Sequence, residues 1–124
     1  MLLRLISLPA HMAVESALGF ALMLSPLVLD YGTAGFITVA VLGALVVALS
    51  FTAAPSDERG GLALSTHAAL DLVTGMALSI GGVALAAAGD RTAFMALAAA
   101  GLAVLVLHAI TSYSAPRRAN RLLS

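Results

Sequence analysis

The chain alternates between four apolar stretches of about 20 residues each and short polar breaks. A hydrocarbon core about 30 Å thick is crossed by about 20 apolar residues in an α-helix, so each stretch has the length of one membrane span. The breaks are two tight turns, at 30–33 and 89–91, and one longer polar segment between them. This pattern predicts an all-α integral membrane protein, a four-helix bundle.

Composition supports lipid rather than water as the surroundings of these helices. Hydrophobic residues make up 61% of the chain and charged residues only 10%, whereas about a quarter of the residues of a soluble domain are charged. The net charge of zero and the lack of a basic stripe argue against a nucleic-acid partner. Because the chain has no cysteine, disulfides and thiolate ligands are excluded. The expected partner is the lipid bilayer.

The breaks divide the chain into two tandem transmembrane hairpins. Each hairpin is expected to contain two spans: residues 1–53, with spans at about 9–29 and 34–52, and residues 66–114, with spans at about 66–88 and 92–113. Residues 54–65 form a linker with one proline, two glycines and three charged side chains, and residues 115–124 form a basic tail.

Arginine placement predicts the orientation of the bundle. With four spans, both termini and the linker share one side of the membrane. That side carries most of the arginines of the chain: Arg4, Arg59, Arg117, Arg118 and Arg121. Only Arg91 falls on the other side. The positive-inside rule therefore predicts a multi-pass protein of the inner or plasma membrane, with cytoplasmic N- and C-termini and a cytoplasmic linker.

The two hairpins resemble each other in sequence. Five positions of the first recur in order in the second, three at a separation of 56 and two at a separation of 58: His11, Glu15, Gly19, Phe36 and Gly43 match His67, Asp71, Gly75, Phe94 and Gly101. This order indicates an internal duplication, with a two-residue insertion near the second turn. Both copies would enter the membrane from the same side, and the four glycines would let helix backbones approach closely.

Helix ends are also predicted from local residue types. Pro26 removes a hydrogen bond to the Leu22 carbonyl, so we expect a kink there, with either a neighbouring helix or Ser25 satisfying the freed carbonyl. The pair at 81–82, two glycines, stands at the matching place and is expected to weaken the third span at the same depth. Either Ser65 or Thr66 is expected to cap the start of that span.

Each hairpin places one histidine and one carboxylate on the same helix face, because residues four apart in a helix are neighbours. The pairs are His11 with Glu15 and His67 with Asp71. Their carboxylates are expected roughly 8–9 Å inside the cytoplasmic surface at ~1.5 Å per residue. His108, near the end of the fourth span, lies at a similar predicted depth. All three histidines of the chain and these two carboxylates are therefore expected at the same depth in the bundle.

Three functions are compatible with this polar cluster. The first, favoured from the residues alone, is a non-enzymatic structural, interaction or accessory membrane component whose buried cluster holds the helices together. The second is a divalent transition-metal site formed by the two pairs, with His108 as a possible fifth ligand; a haem fits less well, because the carboxylates add nothing for it. The third is a proton-coupled small transporter.

The transport interpretation is weakened by the sequence around the cluster. No strongly polar residue leads from it to the opposite side, and four spans would need a homo-oligomer to form a carrier. A second copy of the chain or another membrane protein is nevertheless a possible partner. No catalytic residues are predicted, because the chain contains no nucleophile elbow, phosphate loop or catalytic triad.

Residues 19–29, GFALMLSPLVL, resemble the SPW-repeat family of small bacterial integral membrane proteins. The repeat of that family is a pair of transmembrane helices, the first with a Gly-rich apolar lead followed by Ser-Pro-Trp. Here Leu27 stands in place of the tryptophan, and two glycines replace Ser-Pro in the second copy. The resemblance covers mainly residues 11–52 and, more weakly, 67–113. It implies a membrane location and a two-hairpin fold, but no activity.

Overall fold

The computed structural model describes residues 5–52 and 64–113. Four long α-helices account for most of them: α1 Leu8–Leu24, α2 Thr33–Thr52, α3 Leu64–Ala87 and α4 Arg91–Ile110. Each is long and apolar enough to cross a membrane, α1 together with the short turn that extends it to Leu27, and the described residues form no named strand. The prediction of an all-helical four-helix architecture is therefore confirmed. The basic tail, most of the linker and every arginine except Arg91 lie outside the described residues.

Sequential helices form the two hairpins. α1 packs along α2, and α3 packs along α4, with the most extensive helix contacts in the bundle. The α2 and α4 backbones also approach each other, whereas α1 and α3 do not, so α1 and α3 lie on opposite corners of the bundle. The core between the hairpins is apolar and consists of Leu22, Val39, Val46, Leu78, Leu85, Ala93, Leu97, Ala100 and Val104.

Glycines lie where the two helices of each hairpin cross. A Cβ atom placed on Gly43 would lie 2.8 Å from the Met23 backbone nitrogen and 3.1 Å from the Gly19 carbonyl oxygen. A Cβ atom placed on Gly101 would lie 2.9 Å from the Ser79 nitrogen and 3.0 Å from the Gly75 carbonyl oxygen. The same backbone crossing thus occurs in both hairpins, and each depends on the absence of a side chain.

The first helix changes geometry at Pro26. α1 ends at Leu24 and continues as a 3-10 turn over Ser25–Leu27, so the regular helix is shorter than the predicted span to residue 29. The Ser25 hydroxyl donates to the Leu22 carbonyl at 2.7 Å, and Tyr31 donates to the Ser25 oxygen at 2.8 Å. Ser25 therefore satisfies the carbonyl that loses its partner because proline has no N–H.

The third helix differs from expectation at two places. α3 begins at Leu64, so Ser65 and Thr66 lie inside its first turn and do not cap it. The helix also runs without interruption through the glycine pair at 81–82, where a weakening was predicted. Unlike proline, glycine keeps its N–H, so the helical hydrogen bonds can continue. Gly82 also packs closely against α4, since a Cβ there would lie 3.3 Å from the Phe94 carbonyl oxygen. The predicted weakening was therefore wrong.

The turns at the two ends of α4 are well defined. Gly89, with a φ of 92°, adopts the left-handed conformation that terminates α3. Asp90 then caps α4 by accepting a hydrogen bond from the Ala93 nitrogen at 3.0 Å, and its other oxygen accepts one from the Gly32 nitrogen at 2.9 Å. At the opposite end, α4 stops at Ile110 instead of residue 113, because Thr111 is extended.

Candidate metal centre

The polar cluster lies at the end of the bundle where α1 and α3 begin. Ser7 precedes α1, and its side chain accepts a hydrogen bond from the Ala10 nitrogen at 3.4 Å. Pro9 occupies the first turn, where a missing N–H is harmless. Because α1 and α3 are parallel, their matching faces reach the bundle centre at the same level. The two histidines and two carboxylates there are at most 1% exposed: His11, Glu15, His67 and Asp71.

The four side chains alternate around one point. Nε2 of His11 lies 3.5 Å from Oε2 of Glu15 and 3.0 Å from Oδ2 of Asp71. Nε2 of His67 lies 3.7 Å from Oε2 of Glu15 and 3.4 Å from Oδ1 of Asp71. Each residue offers one nitrogen or oxygen atom, and these four atoms all lie within 4.8 Å of one another. Each histidine therefore faces both carboxylates.

Most of these facing atoms lack hydrogen bonds. Among the described residues, the buried atoms without a hydrogen-bond partner include Nε2 of both histidines, Oε2 of Glu15 and Oδ1 of Asp71. A charge-assisted N–H···O bond is ~2.7–2.9 Å long, and three of the four histidine–carboxylate separations are 3.4 Å or more. An unsatisfied buried polar atom costs about 1–3 kcal/mol. The cluster is therefore not closed by its own hydrogen bonds.

Most of the separations are longer than direct pairing needs and leave room for an ion between the four side chains. Ligand atoms at ~2.0–2.2 Å from a tetrahedral ion lie about 3.3–3.6 Å from one another. The four histidine–carboxylate separations of 3.0–3.7 Å lie around that value, and the candidate atoms spread over at most 4.8 Å, so small side-chain movements would bring them to one ion. Two imidazole nitrogens and two carboxylate oxygens are ligand types that zinc and related divalent ions accept.

Two residues beyond the end of α4 support the ligand side chains from outside. Nδ1 of His11 lies 2.7 Å from the Thr111 hydroxyl oxygen, and that hydroxyl donates to the Leu107 carbonyl. The Tyr113 hydroxyl donates to Oδ2 of Asp71 at 2.7 Å. Metal-binding histidines and carboxylates are commonly oriented by outer hydrogen bonds of this kind.

A short backbone pairing holds these two supporting residues beside the site. The nitrogens of Leu5 and Ile6 donate to the Ile110 carbonyl at 2.7 and 3.2 Å, and the Ser112 nitrogen donates to the Ile6 carbonyl at 3.1 Å. Ile6 and Thr111 form a parallel bridge. The segment before α1 thus fixes the segment after α4, which carries both outer partners.

His108 lies next to the four-residue group but outside it. Its Nδ1 is 3.4 Å from the Tyr113 hydroxyl, so Tyr113 stands between His108 and Asp71. Among the described residues, the group that could hold an ion comprises His11, Glu15, His67 and Asp71. The structure therefore brings together four of the five predicted ligands. His108 is separated from them by Tyr113.

Sequence reasoning missed Thr111 and Tyr113. Both follow the last helix, and no spacing rule connects them with residues at the start of α1 or α3. The only local indication is a cluster of hydroxyl side chains, at 111–114, directly after the helix that carries the third histidine. Their role depends on the extended backbone at Thr111 and on its pairing with Ile6.

Polar groups do not continue through the bundle. Within the described ranges, the buried polar side chains all belong to the half that contains the cluster: His11, Glu15, Ser50, His67, Asp71, Thr74 and Thr111. Toward the Asp90 turn, the core between the hairpins is apolar, with Val39, Leu85 and Leu97 buried. The site is consequently closed toward the opposite end.

Comparison of the chain with protein-family models, with curated proteins and with solved structures gives no match. The resemblance to the SPW-repeat family and the internal duplication therefore stay predictions from the sequence.

Proposed function

We propose that this protein is a small multi-pass membrane protein that binds one divalent transition-metal ion. The ligands are His11, Glu15, His67 and Asp71. The observation that carries the proposal is the convergence of one buried, unpartnered atom from each residue, all within 4.8 Å of one another.

Charge balance favours a divalent ion at this position. Two carboxylates carry two negative charges, and two neutral histidines add none, so a divalent cation makes the centre neutral. Burying charges without such compensation is expensive in a low-dielectric bundle. All four side chains are almost completely buried, and no lysine or arginine of the described part pairs with the two carboxylates. A bound divalent cation neutralises the centre without a proton being added to either histidine.

The ligand set narrows the choice of metal. Imidazole and carboxylate donors suit Zn²⁺ and neighbouring divalent ions such as Fe²⁺, Mn²⁺ and Co²⁺, whereas Cu⁺ prefers thiolate or thioether ligands. For Zn²⁺, four protein ligands complete a tetrahedral shell and leave no position open for a substrate. The centre is therefore suited to holding an ion and joining helices, which agrees with a non-enzymatic role.

This proposal retains part of the structural interpretation. An ion bound here would connect α1 of the first hairpin with α3 of the second, whose backbones do not approach each other. Direct histidine–carboxylate hydrogen bonds would serve the same purpose, but most of the observed separations are too long for them. Transport is the least supported alternative, because the core beyond the site is apolar.

The location proposed for the protein is the inner or plasma membrane, with both termini in the cytoplasm. Support comes from the length and hydropathy of the four helices and from the arginines concentrated on one side of them in the sequence. In this orientation the metal centre lies near the cytoplasmic face.

Elemental analysis of the detergent-purified protein tests the metal proposal. Wild type, after supplementation with zinc, manganese or iron, should carry about one ion per chain. The His11→Gln/His67→Gln variant, which keeps polar side chains of similar size, should lose the ion while retaining its helical circular dichroism. His108→Gln is the matched control and should retain the ion. A folded wild type that stays metal-free under all three supplements would refute the proposal.

A further inference from the structure

The outer hydrogen bond of His11 determines which ring nitrogen carries a proton. The Thr111 hydroxyl has one proton, and it is donated to the Leu107 carbonyl, which can only accept. The same oxygen lies 2.7 Å from Nδ1 of His11. Since the hydroxyl proton is already engaged, Thr111 must accept at this contact, and Nδ1 must carry the hydrogen.

A neutral histidine with its hydrogen on Nδ1 has a lone pair on Nε2. In His11 that atom faces Oδ2 of Asp71 at 3.0 Å and Oε2 of Glu15 at 3.5 Å. A lone pair directed at two carboxylate oxygens is electrostatically unfavourable. A cation placed between these atoms would attract the lone pair and both carboxylates. Because the hydrogen bond to Thr111 keeps a hydrogen on Nδ1, Nε2 is the ring nitrogen whose lone pair a metal ion can take.

We propose that Thr111 is a positioning residue, which holds His11 in the Nδ1–H tautomer and presents the Nε2 lone pair to the divalent cation. This inference rests on the proposed metal-binding function and deepens it. Thr111 is only 4% exposed, and its position is fixed by the bridge to Ile6. The oxygen is therefore desolvated and held at one place, as an orienting group must be.

The second histidine provides an internal contrast. Nδ1 of His67 is buried and has no hydrogen-bond partner among the described residues. No described residue selects the tautomer of His67 from outside, so within the described structure the two histidines of the site are not equivalent. Loss of Thr111 should change the protonation pattern of His11 and leave that of His67 unchanged.

The experiment compares Thr111→Val with Thr111→Ser. Valine has nearly the shape of threonine but cannot accept a hydrogen bond, whereas serine keeps the hydroxyl. The matched control is Thr38→Val on α2, because Thr38 makes the same type of bond to the carbonyl four residues earlier, at 2.7 Å, but lies away from the site. Binding of Co²⁺ and Zn²⁺ is measured by titration of each detergent-solubilised variant, with circular dichroism as the check of folding.

The expected result is a 10- to 100-fold weaker metal affinity for Thr111→Val at unchanged stoichiometry, which is the usual effect of losing an outer partner. Thr111→Ser and Thr38→Val should bind like wild type. Nitrogen-15 spectra of histidine-labelled, metal-free protein, recorded at a pH at which His11 is neutral, should show His11 as the Nδ1–H tautomer in wild type and as a mixture in Thr111→Val. A purely structural role for Thr111 would lower stability without changing the His11 tautomer.

The two proposals fail in different ways. If wild type binds metal and Thr111→Val binds it equally tightly, the role of Thr111 is overturned while the metal centre stands. If wild type binds no metal, the proposed function fails, and the positioning role fails with it. If Thr111→Val does not fold, Thr111→Ala takes its place and is compared with Thr111→Ser. The inference is overturned if His11 has the same tautomer in these two variants.

Discussion

Nε2 of His11 lies 3.0 Å from Oδ2 of Asp71, although the two residues belong to different hairpins. Their helices, α1 and α3, occupy opposite corners of the bundle and make no close backbone contact. The side chains alone therefore bridge this diagonal, at a point where four buried polar residues converge. The interactions at that point consequently help to join the two hairpins at this end of the bundle.

Removing one negative charge from the site should abolish stabilisation by metal. Glu15→Gln and Asp71→Asn preserve side-chain size, but the amide is a poorer ligand than the carboxylate. Each variant also leaves one of the two positive charges of a bound divalent ion uncompensated. Wild type should gain about 2.7 kcal/mol when free zinc is 100 times the dissociation constant. Thermal unfolding in detergent, with zinc and with a chelator, measures this difference.

The control for the charge variants is Asp30→Asn in the exposed first turn. It should respond to zinc like wild type. Equal stabilisation of Glu15→Gln and wild type by zinc would show that the ion binds elsewhere.

A single methyl group at the helix crossings should destabilise the hairpins. In Gly43→Ala the added Cβ would lie 2.8 Å from the Met23 nitrogen, and in Gly101→Ala it would lie 2.9 Å from the Ser79 nitrogen. Because these neighbours are backbone atoms, the helices must separate, and overpacking of this kind costs about 1–3 kcal/mol. Unfolding in a denaturing detergent measures the loss for each variant.

Gly81→Ala is the matched control for these variants. A Cβ at Gly81 would meet the Leu42 Cδ1 atom at 3.7 Å, an ordinary contact. Alanine is also the better helix former by about 1 kcal/mol, so this substitution should be neutral or stabilising. If all three glycine variants lost stability equally, close backbone packing would not be the cause.

Asp90 should contribute to stability at the end of the bundle opposite the metal site. Asp90→Ala removes both the cap on the Ala93 nitrogen and the bond to the Gly32 nitrogen. Loss of an N-cap costs about 0.5–2 kcal/mol, and the second bond also joins the two hairpins. Asp90→Asn, with one carbonyl oxygen in place of two carboxylate oxygens, should fall between wild type and Asp90→Ala in thermal unfolding. Asp90→Ala with the stability of wild type would contradict this role.

The orientation in the membrane can be tested without background labelling, since the chain has no cysteine. Single substitutions Asp30→Cys, in the first turn, and Ser56→Cys, in the linker, should react differently in intact cells. A membrane-impermeant thiol reagent should label Asp30→Cys and spare Ser56→Cys until the cells are opened. The reverse labelling pattern would overturn the prediction of cytoplasmic termini.

Local spacing was sufficient to predict much of this molecule. Runs of apolar residues, interrupted by turn residues, predicted four helices, and the structure contains four. The four-residue spacing of His11 with Glu15, and of His67 with Asp71, placed each pair on one helix face. The use of Ser25 to satisfy the Leu22 carbonyl also followed from the position of Pro26. Each of these features depends on residues within one or two helical turns.

Other features depended on how the helices meet. The glycine pair at 81–82 predicts a weakened third helix, but α3 is continuous there and Gly82 packs against α4. Likewise, His108 has the depth of the other histidines in sequence, yet it lies beyond Tyr113 in the structure. A depth along the helix says nothing about the direction in which a side chain points around the bundle.

By itself, the sequence determined the helices, their apolar surfaces and the pairing of one histidine with one carboxylate on each of two of them, because these follow from helical periodicity. Only the tertiary structure decided that the two pairs meet across the diagonal with their facing atoms unpartnered. Only the tertiary structure, likewise, brought Thr111 and Tyr113 to the ligands. The physical reason is that these contacts join residues far apart in the chain, so packing of the helices, and not local geometry, brings them together.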